Sequence, residues 1–320
     1  MNNHFGNPLL EQRKLLEHKA FVHRDDQAVV EIIGEATLSW LHSISSQNLA
    51  NLKPGDSAES LILDPQGHIE HQLKVIVTDQ GALIICNRDR RNALIEWLEK
   101  MKFRTRVEIK PSELLVIGVF AELELQAPCW VDPWAKTPVG SVSYSKQKPE
   151  WTYREYLVGN LSEISLEQAG AMAFQALRIA AHRPEITDCD ERSLPHELDW
   201  LSSAVHLSKG CYRGQETVAK VHNLGHPPRR LAQLSMEVGD LLPEAGEKVF
   251  YSDKEVGKVL ASALHFEQGS ICLALLNRVT PYTDLMVAGM AATQEVIVPA
   301  DAGKAANLPR PSAFKLSGKK

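Results

Sequence analysis

Long apolar runs are missing from this 320-residue chain. The longest spans about eight residues, Leu114 to Ala121, well short of a membrane span. Cysteine is sparse and unpaired in pattern. The five, Cys86, Cys129, Cys189, Cys211 and Cys272, include no C-x-x-C, which argues against zinc ribbons and thioredoxin-type chemistry. They read as reduced thiols of a cytosolic protein. Met1-Asn2-Asn3-His4-Phe5 lacks the basic and apolar regions of a signal peptide. Net charge is small, −5 from 40 acids and 35 lysines plus arginines, so a nucleic-acid coat is not expected, although a local basic patch stays open. What is present is ordinary globular material, 44% hydrophobic and 23% charged. The length predicts about two domains, or three small ones.

Residues 20–33 hold two short apolar runs, Ala20–His23 and Ala28–Ile33, around Asp25-Asp26-Gln27, which reads as a hairpin. A helix follows over Ala36, Leu38, Leu41, Ile44 and then Leu49, and stops before Lys53-Pro54-Gly55-Asp56. Strands are expected at Ser57–Leu63, Ile69–Thr78 and Ala82–Cys86, then an amphipathic helix from about Asp89 to Met101. Strands resume at 105–109 and 114–120, a linker occupies 132–151, and a strand runs from Tyr153 to Val158. Ser162 is expected to cap a long helix reaching about Ala181. Residues 182–230 are rich in Gly, Pro, His and charge and poor in periodicity, which marks a functional loop region. From Arg230 onward short strands predict a small β-barrel or sandwich, ending in a loose tail at 300–320.

The chemistry concentrates in Lys209-Gly210-Cys211-Tyr212-Arg213-Gly214-Gln215-Glu216. Glycine at 210 and 214 permits backbone angles or close approaches that side chains forbid. Cys211 has cationic neighbours in sequence, Lys209 and Arg213, and lies ahead of Thr217–His222, which reads as a short helix or strand. Cationic neighbours and a helix N-terminus both favour thiolate, so Cys211 is the candidate reactive or ligating thiol. The alternative is a buried cysteine acting as a small hydrophobe. Twelve histidines invite a metal reading, but His182, His196, His206, His222 and His226 match no zinc spacing, and no H-E-x-x-H occurs. Arg88, Arg90 and Arg91 beside the helix at 89–101 read as a solvated face.

The octapeptide resembles the K-G-C-Y-x-G-Q-E signature of the YgfZ family, relatives of the glycine-cleavage T-protein (aminomethyltransferase). Gly34–Leu41 with Ser46-Gln47-Asn48-Leu49, Leu63–Ile69, Leu194-Pro195-His196-Glu197, and Gly257–Ser262 with Leu273–Leu276 are similar to further segments of that family. The resemblance implies an α+β fold of three domains, a cloverleaf around a central hole where tetrahydrofolate binds, closed by a C-terminal β-barrel. The domains would be 1–55 plus 112–228, an insert at 56–111, and 229–320. It implies a folate-dependent accessory role in the assembly or repair of iron–sulfur enzymes, with Cys211 as the working cysteine. Client or assembly proteins are then the expected partners, with no membrane and no direct nucleic acid. Whether any reaction is catalysed stays open.

A folate pterin needs a carboxylate or amide for its amino-pyrimidine edge and a cation for its glutamate tail. Glu197 and Glu216 are candidates for the first, and Arg178, Arg183 and Lys220 for the second. Each of these charges is equally explained by an ion pair. The motif residues Lys209, Gly210, Tyr212, Gly214 and Gln215 complete the expected site. The second functional reading is a folate-dependent aminomethyltransferase of the T-protein type. Such enzymes carry paired aspartates after the early glycine turn, where this chain has Glu70 and His71, and they lack the cysteine signature.

Overall fold

The computed structural model describes residues 2–237 and 242–306. Helix α1 (Pro8–Leu16) leads into β1 (Ala20–His23) and β2 (Gln27–Ile33). Helix α2 (Thr37–Ile44) and strands β3 (Ser57–Leu63), β4 (Ile69–Thr78) and β5 (Gly81–Asn87) follow, then α3 (Arg91–Lys102) and β6 (Glu108–Ser112). Strands β7 (Leu115–Val119), β8 (Cys129–Val131), β9 (Arg154–Val158) and β10 (Glu167–Ala169) precede α4 (Ala171–Ala180) and α5 (Gln215–Leu224). The last six strands are β11 (Arg229–Met236), β12 (Lys248–Tyr251), β13 (Lys254–His265), β14 (Gly269–Asn277), β15 (Leu285–Val287) and β16 (Met290–Val296).

They form three sheets. The first has the order β10-β1-β7-β9-β8, the second β3-β4-β5-β2-β6, and the third is a closed barrel, β11-β14-β13-β12-β15-β16. The expected hairpin of residues 20–33 does not form. β1 pairs with β10 and β7, whereas β2 pairs with β5 and β6 in the second sheet. The charges between the two strands are the reason. Arg24 is buried, and its guanidinium bonds Asp26 at 2.7 Å, Glu185 at 2.5 Å and Glu155 at 3.3 Å, over the ring of Phe174. What reads as a hairpin turn is the crossing from one sheet to the other. The second sheet therefore takes in residues 27–112, so β2 and α2 pack with β3–β6.

Strand periodicity divides the second sheet's apolar residues between two cores. Val30, Ile32, Leu73, Val75 and Ile84 face α2 and α3, packing on Trp40, Leu41, Leu94 and Leu98. Val29, Leu61, Leu63, Ile76 and Ile85 face the other way and join the core of the first sheet. That larger core continues through α4 onto the outer face of β13 and β14, through Leu260, Ala263, Ile271 and Leu273. The barrel interior is lined by Ala232, Leu234, Val249, Val259, Cys272, Ala274 and Leu285.

The long helix expected from Ser162 begins instead at Ala171. Asn160 caps only a short 3-10 turn, and Glu167–Ala169 is drawn into the sheet as a parallel partner of β1. The first N–H groups of α4 are satisfied by the chain's own start, Ala171 and Met172 donating to the carbonyls of Asn2 and Asn3. The expected tail beyond Ala306 lies outside the described residues.

Candidate functional site

Residues 209–214 form a loop between a run of 3-10 turns and α5, and both of its ends are pinned. At the first end the Lys209 side chain is buried. Its Nζ donates to the carbonyls of His42, Ser45 (2.6 Å) and Gln47 (3.0 Å), at and beyond the C-terminus of α2. Three orphan carbonyls thereby gain a cationic donor. Burial pulls the Lys209 ammonium down to about 8. Gln215 closes the loop from within, its Nε2 donating to the Lys209 carbonyl at 3.1 Å.

The second end rests on the turn between β3 and β4. Gly214 has φ +81, and a methyl group there would stand 2.5 Å from the Asp64 carbonyl oxygen. Gly67, with φ +84, meets the Thr217 side chain in the same way. The two glycine turns pack directly against each other, which only bare backbone allows. Gly210 behaves differently. Its φ is not positive and a methyl group there would meet nothing within 4 Å, so no close approach requires glycine.

Tyr212 is buried in the large core, with Lys209 Nζ 5.2 Å from its ring centre. Glu216 is exposed on the first turn of α5. Cys211 is exposed between the pinned ends. The cations beside it in sequence do not serve it. Lys209 turns inward to α2, and Arg213 Nη1 bonds Glu70 Oε2 at 2.9 Å. The helix starts four residues later, with Gly214 at its cap. The two expected sources of thiolate stabilisation are therefore engaged elsewhere. The other cysteines separate from it: Cys86 and Cys272 are buried, and burial pushes both thiols up to about 12.

The Arg213–Glu70 pair connects the loop to a cleft of about 490 Å3. Asp64, His68, Glu70 and His71 come from the β3–β4 turn and β4. Arg90, Trp97 and Lys100 come from the α3 side, and Asp190 and Glu191 from the long loop. His68 and Asp64 pair at 2.9 Å. Burial, reinforced by the Arg90 charge, holds the His71 imidazole down to about 4, so it is neutral at pH 7. At positions 70 and 71, where the alternative reading expects a carboxylate pair, the cleft has one carboxylate bonded to arginine and one neutral imidazole. Lys100 and Glu191 have no ion-pair partner among the described residues and remain available to a ligand.

No family model matches this chain. It is 23% identical over 272 residues to the tRNA-modifying protein YgfZ of Aliivibrio fischeri (strain MJ11), covering 79% of this chain and 83% of that protein. It is 26% identical over 275 residues to the tRNA-modifying protein YgfZ of Klebsiella pneumoniae (strain 342), with the same shares. Its structure superposes on the glycine cleavage system aminomethyltransferase T from Bartonella henselae with a TM-score of 0.74 at 16% identity, over 93% of this chain and 91% of that one. The chain resembles the YgfZ family and has the T-protein fold.

On this YgfZ-like frame three of the other expected folate contacts sit in internal ion pairs. Arg178 holds Asp188 through two nitrogens, at 2.8 and 3.2 Å. Arg183 bonds Asp132 at 2.9 Å and Glu59 at 2.6 Å, with its Nη1 left unpartnered. Glu197 is fully buried. It accepts from the Leu194 N–H and from Arg229 at 2.9 and 2.7 Å. Lys220 is exposed on α5.

Sequence reasoning missed the polar seam between the first two sheets. Lys74 of β4 reaches both oxygens of Glu155 on β9, at 2.7 and 2.8 Å, and Tyr153 donates to the same carboxylate. Glu59 of β3 accepts from Gln72, Arg183, Trp200 and Ser203. Trp130, Trp134 and Trp200 are fully buried around it. The signal available was a charge at 59, 74 and 155 inside segments that otherwise read as strands.

Proposed function

We propose that this protein binds tetrahydrofolate or a derivative in the cleft beside the 209–214 loop and serves the assembly or repair of iron–sulfur enzymes through Cys211. The observation that carries the reading is the loop itself. It is fixed at Lys209 and Gly214, linked to the cleft wall through Arg213–Glu70, and presents one exposed thiol between its fixed points.

The cleft's donor set fits a reduced folate. Its volume of about 490 Å3 is within the usual range for small-molecule sites, about 300–1,000 Å3. Trp97 offers a flat apolar wall, Glu191 and the second oxygen of Glu70 offer acceptors for an amino-pyrimidine edge, and Lys100 with Arg90 offers cations for the glutamate tail. Bound there, the folate would supply one-carbon carrier chemistry. His71, neutral and buried, can donate or accept one hydrogen bond without adding charge.

Among the described residues no three His, Cys, Asp or Glu side chains are arranged to hold a metal. A cluster needs several thiolates. Cys211 therefore contributes one ligand or one redox thiol to an arrangement that a client protein completes. The relatives are named tRNA-modifying proteins. On this reading the modification is the work of a client enzyme. The aminomethyltransferase reading draws on the T-protein fold and on Glu70. The Glu70–Arg213 pairing and the neutral His71 weigh against it, because positions 70 and 71 then hold no free carboxylate pair for proton transfer.

The thiol assignment is tested by complementation. In a host lacking its own YgfZ-type protein, the wild-type chain should restore iron–sulfur enzyme activity and Cys211→Ala should not. Full restoration by Cys211→Ala would overturn the role given to the thiol.

A further inference from the structure

The chain's net charge of −5 conceals a segment of opposite sign. Between residues 88 and 106 stand seven lysines and arginines against three acids. The cations gather at the C-terminal end of α3, as Lys100, Lys102, Arg104 and Arg106, within seven residues. Lys102 is held by Glu99 at 2.7 Å, while Lys100, Arg104 and Arg106 are exposed with no ion-pair partner among the described residues.

Phe103 lies in their midst and is the most exposed aromatic among the described residues, at 83%. No ring or cation stacks on it there. Its backbone is also the wrong one for phenylalanine, with φ 46 and ψ −111. The Thr105 N–H donates to the Lys102 carbonyl at 2.8 Å, so Phe103 holds the first corner of a tight turn whose backbone favours glycine. Strain of this kind costs on the order of 1–3 kcal/mol and recurs where a side chain must be aimed. An exposed apolar ring, a strained backbone and free cations on both sides thus coincide at one residue.

A flat ring among free cations is the combination that binds single-stranded nucleic acid. Bases stack on the ring, and phosphates meet the lysines and arginines. An acidic protein surface would use the cations but has no need of the ring. We propose that the turn at 102–106 is a docking point for a single-stranded nucleic-acid segment, with Phe103 as the stacking platform and Arg104 and Arg106 as phosphate contacts. This surface goes beyond the folate and thiol reading and does not depend on it, since Phe103, Arg104 and Arg106 do not line the cleft.

The test uses fluorescence anisotropy on the full chain with labelled oligouridylate and oligothymidylate of about 12 nucleotides. Binding is expected to weaken as salt rises from roughly 50 to 200 mM. The double variant Arg104→Glu/Arg106→Glu should lower the salt slope by about 1.4, at roughly 0.7 per phosphate contact. Phe103→Gly removes the ring and suits the turn, so it should lower affinity about tenfold or more while raising thermal stability. That opposite movement separates a docking role from a structural one. A preference for oligouridylate would specify RNA, and equal affinity would specify single strands of either sugar; both support the proposal. No oligonucleotide binding at the lower salt, unchanged affinity in Phe103→Gly, or equally tight binding of a polyglutamate peptide would overturn it.

Discussion

Two glycines of the signature loop have different physical lives. Gly214 combines φ +81 with a 2.5 Å approach to a carbonyl oxygen, so Gly214→Ala has to move backbone. It should cost about 1–3 kcal/mol of stability, seen as a lowered midpoint in chemical denaturation. Gly210→Ala should change stability by less than about 1 kcal/mol, because its surroundings are open and its φ is not positive. The octapeptide marked both glycines alike. It could do so because composition shows where glycine stands but not what stands opposite, and the Gly67 turn is nearly 150 residues away. The same limit applies to charge. Lys209 and Arg213 flank Cys211 in sequence, yet their long side chains reach carbonyls of α2's end and Glu70 instead. Glu197, Arg178 and Arg183 stand out in the sequence by their charge, and the partners that occupy them come from turns and strands that no spacing rule connects.

Among the elements, the most legible were those with a strong local period. The first four barrel strands, β3 to β5 and α3 follow from alternation, helical spacing and the turns between them, whereas β15 and β16 carry no such signal. Two elements were misread where tertiary contact overrode local pattern. Residues 167–169 carry helical composition but are captured as a parallel edge beside β1, which delays the helix to Ala171. The hairpin at 20–33 fails because Arg24 and Asp26 are drawn into a buried ion cluster rather than left at a solvent turn. Helix α2 is a further case of an element completed from afar. It ends in carbonyls that Lys209 serves from more than 160 residues away. Lys209→Met keeps the apolar stem but removes the donor. It should cost about 1–3 kcal/mol and increase amide exchange at the end of α2, while Lys209→Arg should recover part of the loss.

Across the whole molecule the three sheets are joined by charge as well as by the apolar core. Lys74–Glu155 crosses between the first two sheets. Arg229, at the start of the barrel, holds Glu197 and Asp190 of the long loop, and Lys258 of β13 adds to Asp190 at 3.0 Å. Burial acts to raise Asp190, but hydrogen bonds from Arg229, Lys258 and Ser193 outweigh it and hold the carboxyl well below its usual range. Arg229→Ala would leave the fully buried Glu197 without its counter-ion, so a loss of about 3 kcal/mol is expected, with the barrel's amides losing protection first. The long loop at 182–230 reads in the sequence as a functional region, and the structure makes it the joint among the three sheets. The cleft was not legible, because its walls come from β4, α3 and that loop. The account rests on this cleft being a folate site beside the Cys211 loop. Calorimetric titration of the full chain with tetrahydrofolate tests it most directly. The wild-type chain should bind one equivalent, and the double variant Arg90→Ala/Lys100→Ala should bind at least about tenfold more weakly with unchanged thermal stability. Absence of binding, or equal binding by the variant, would contradict it.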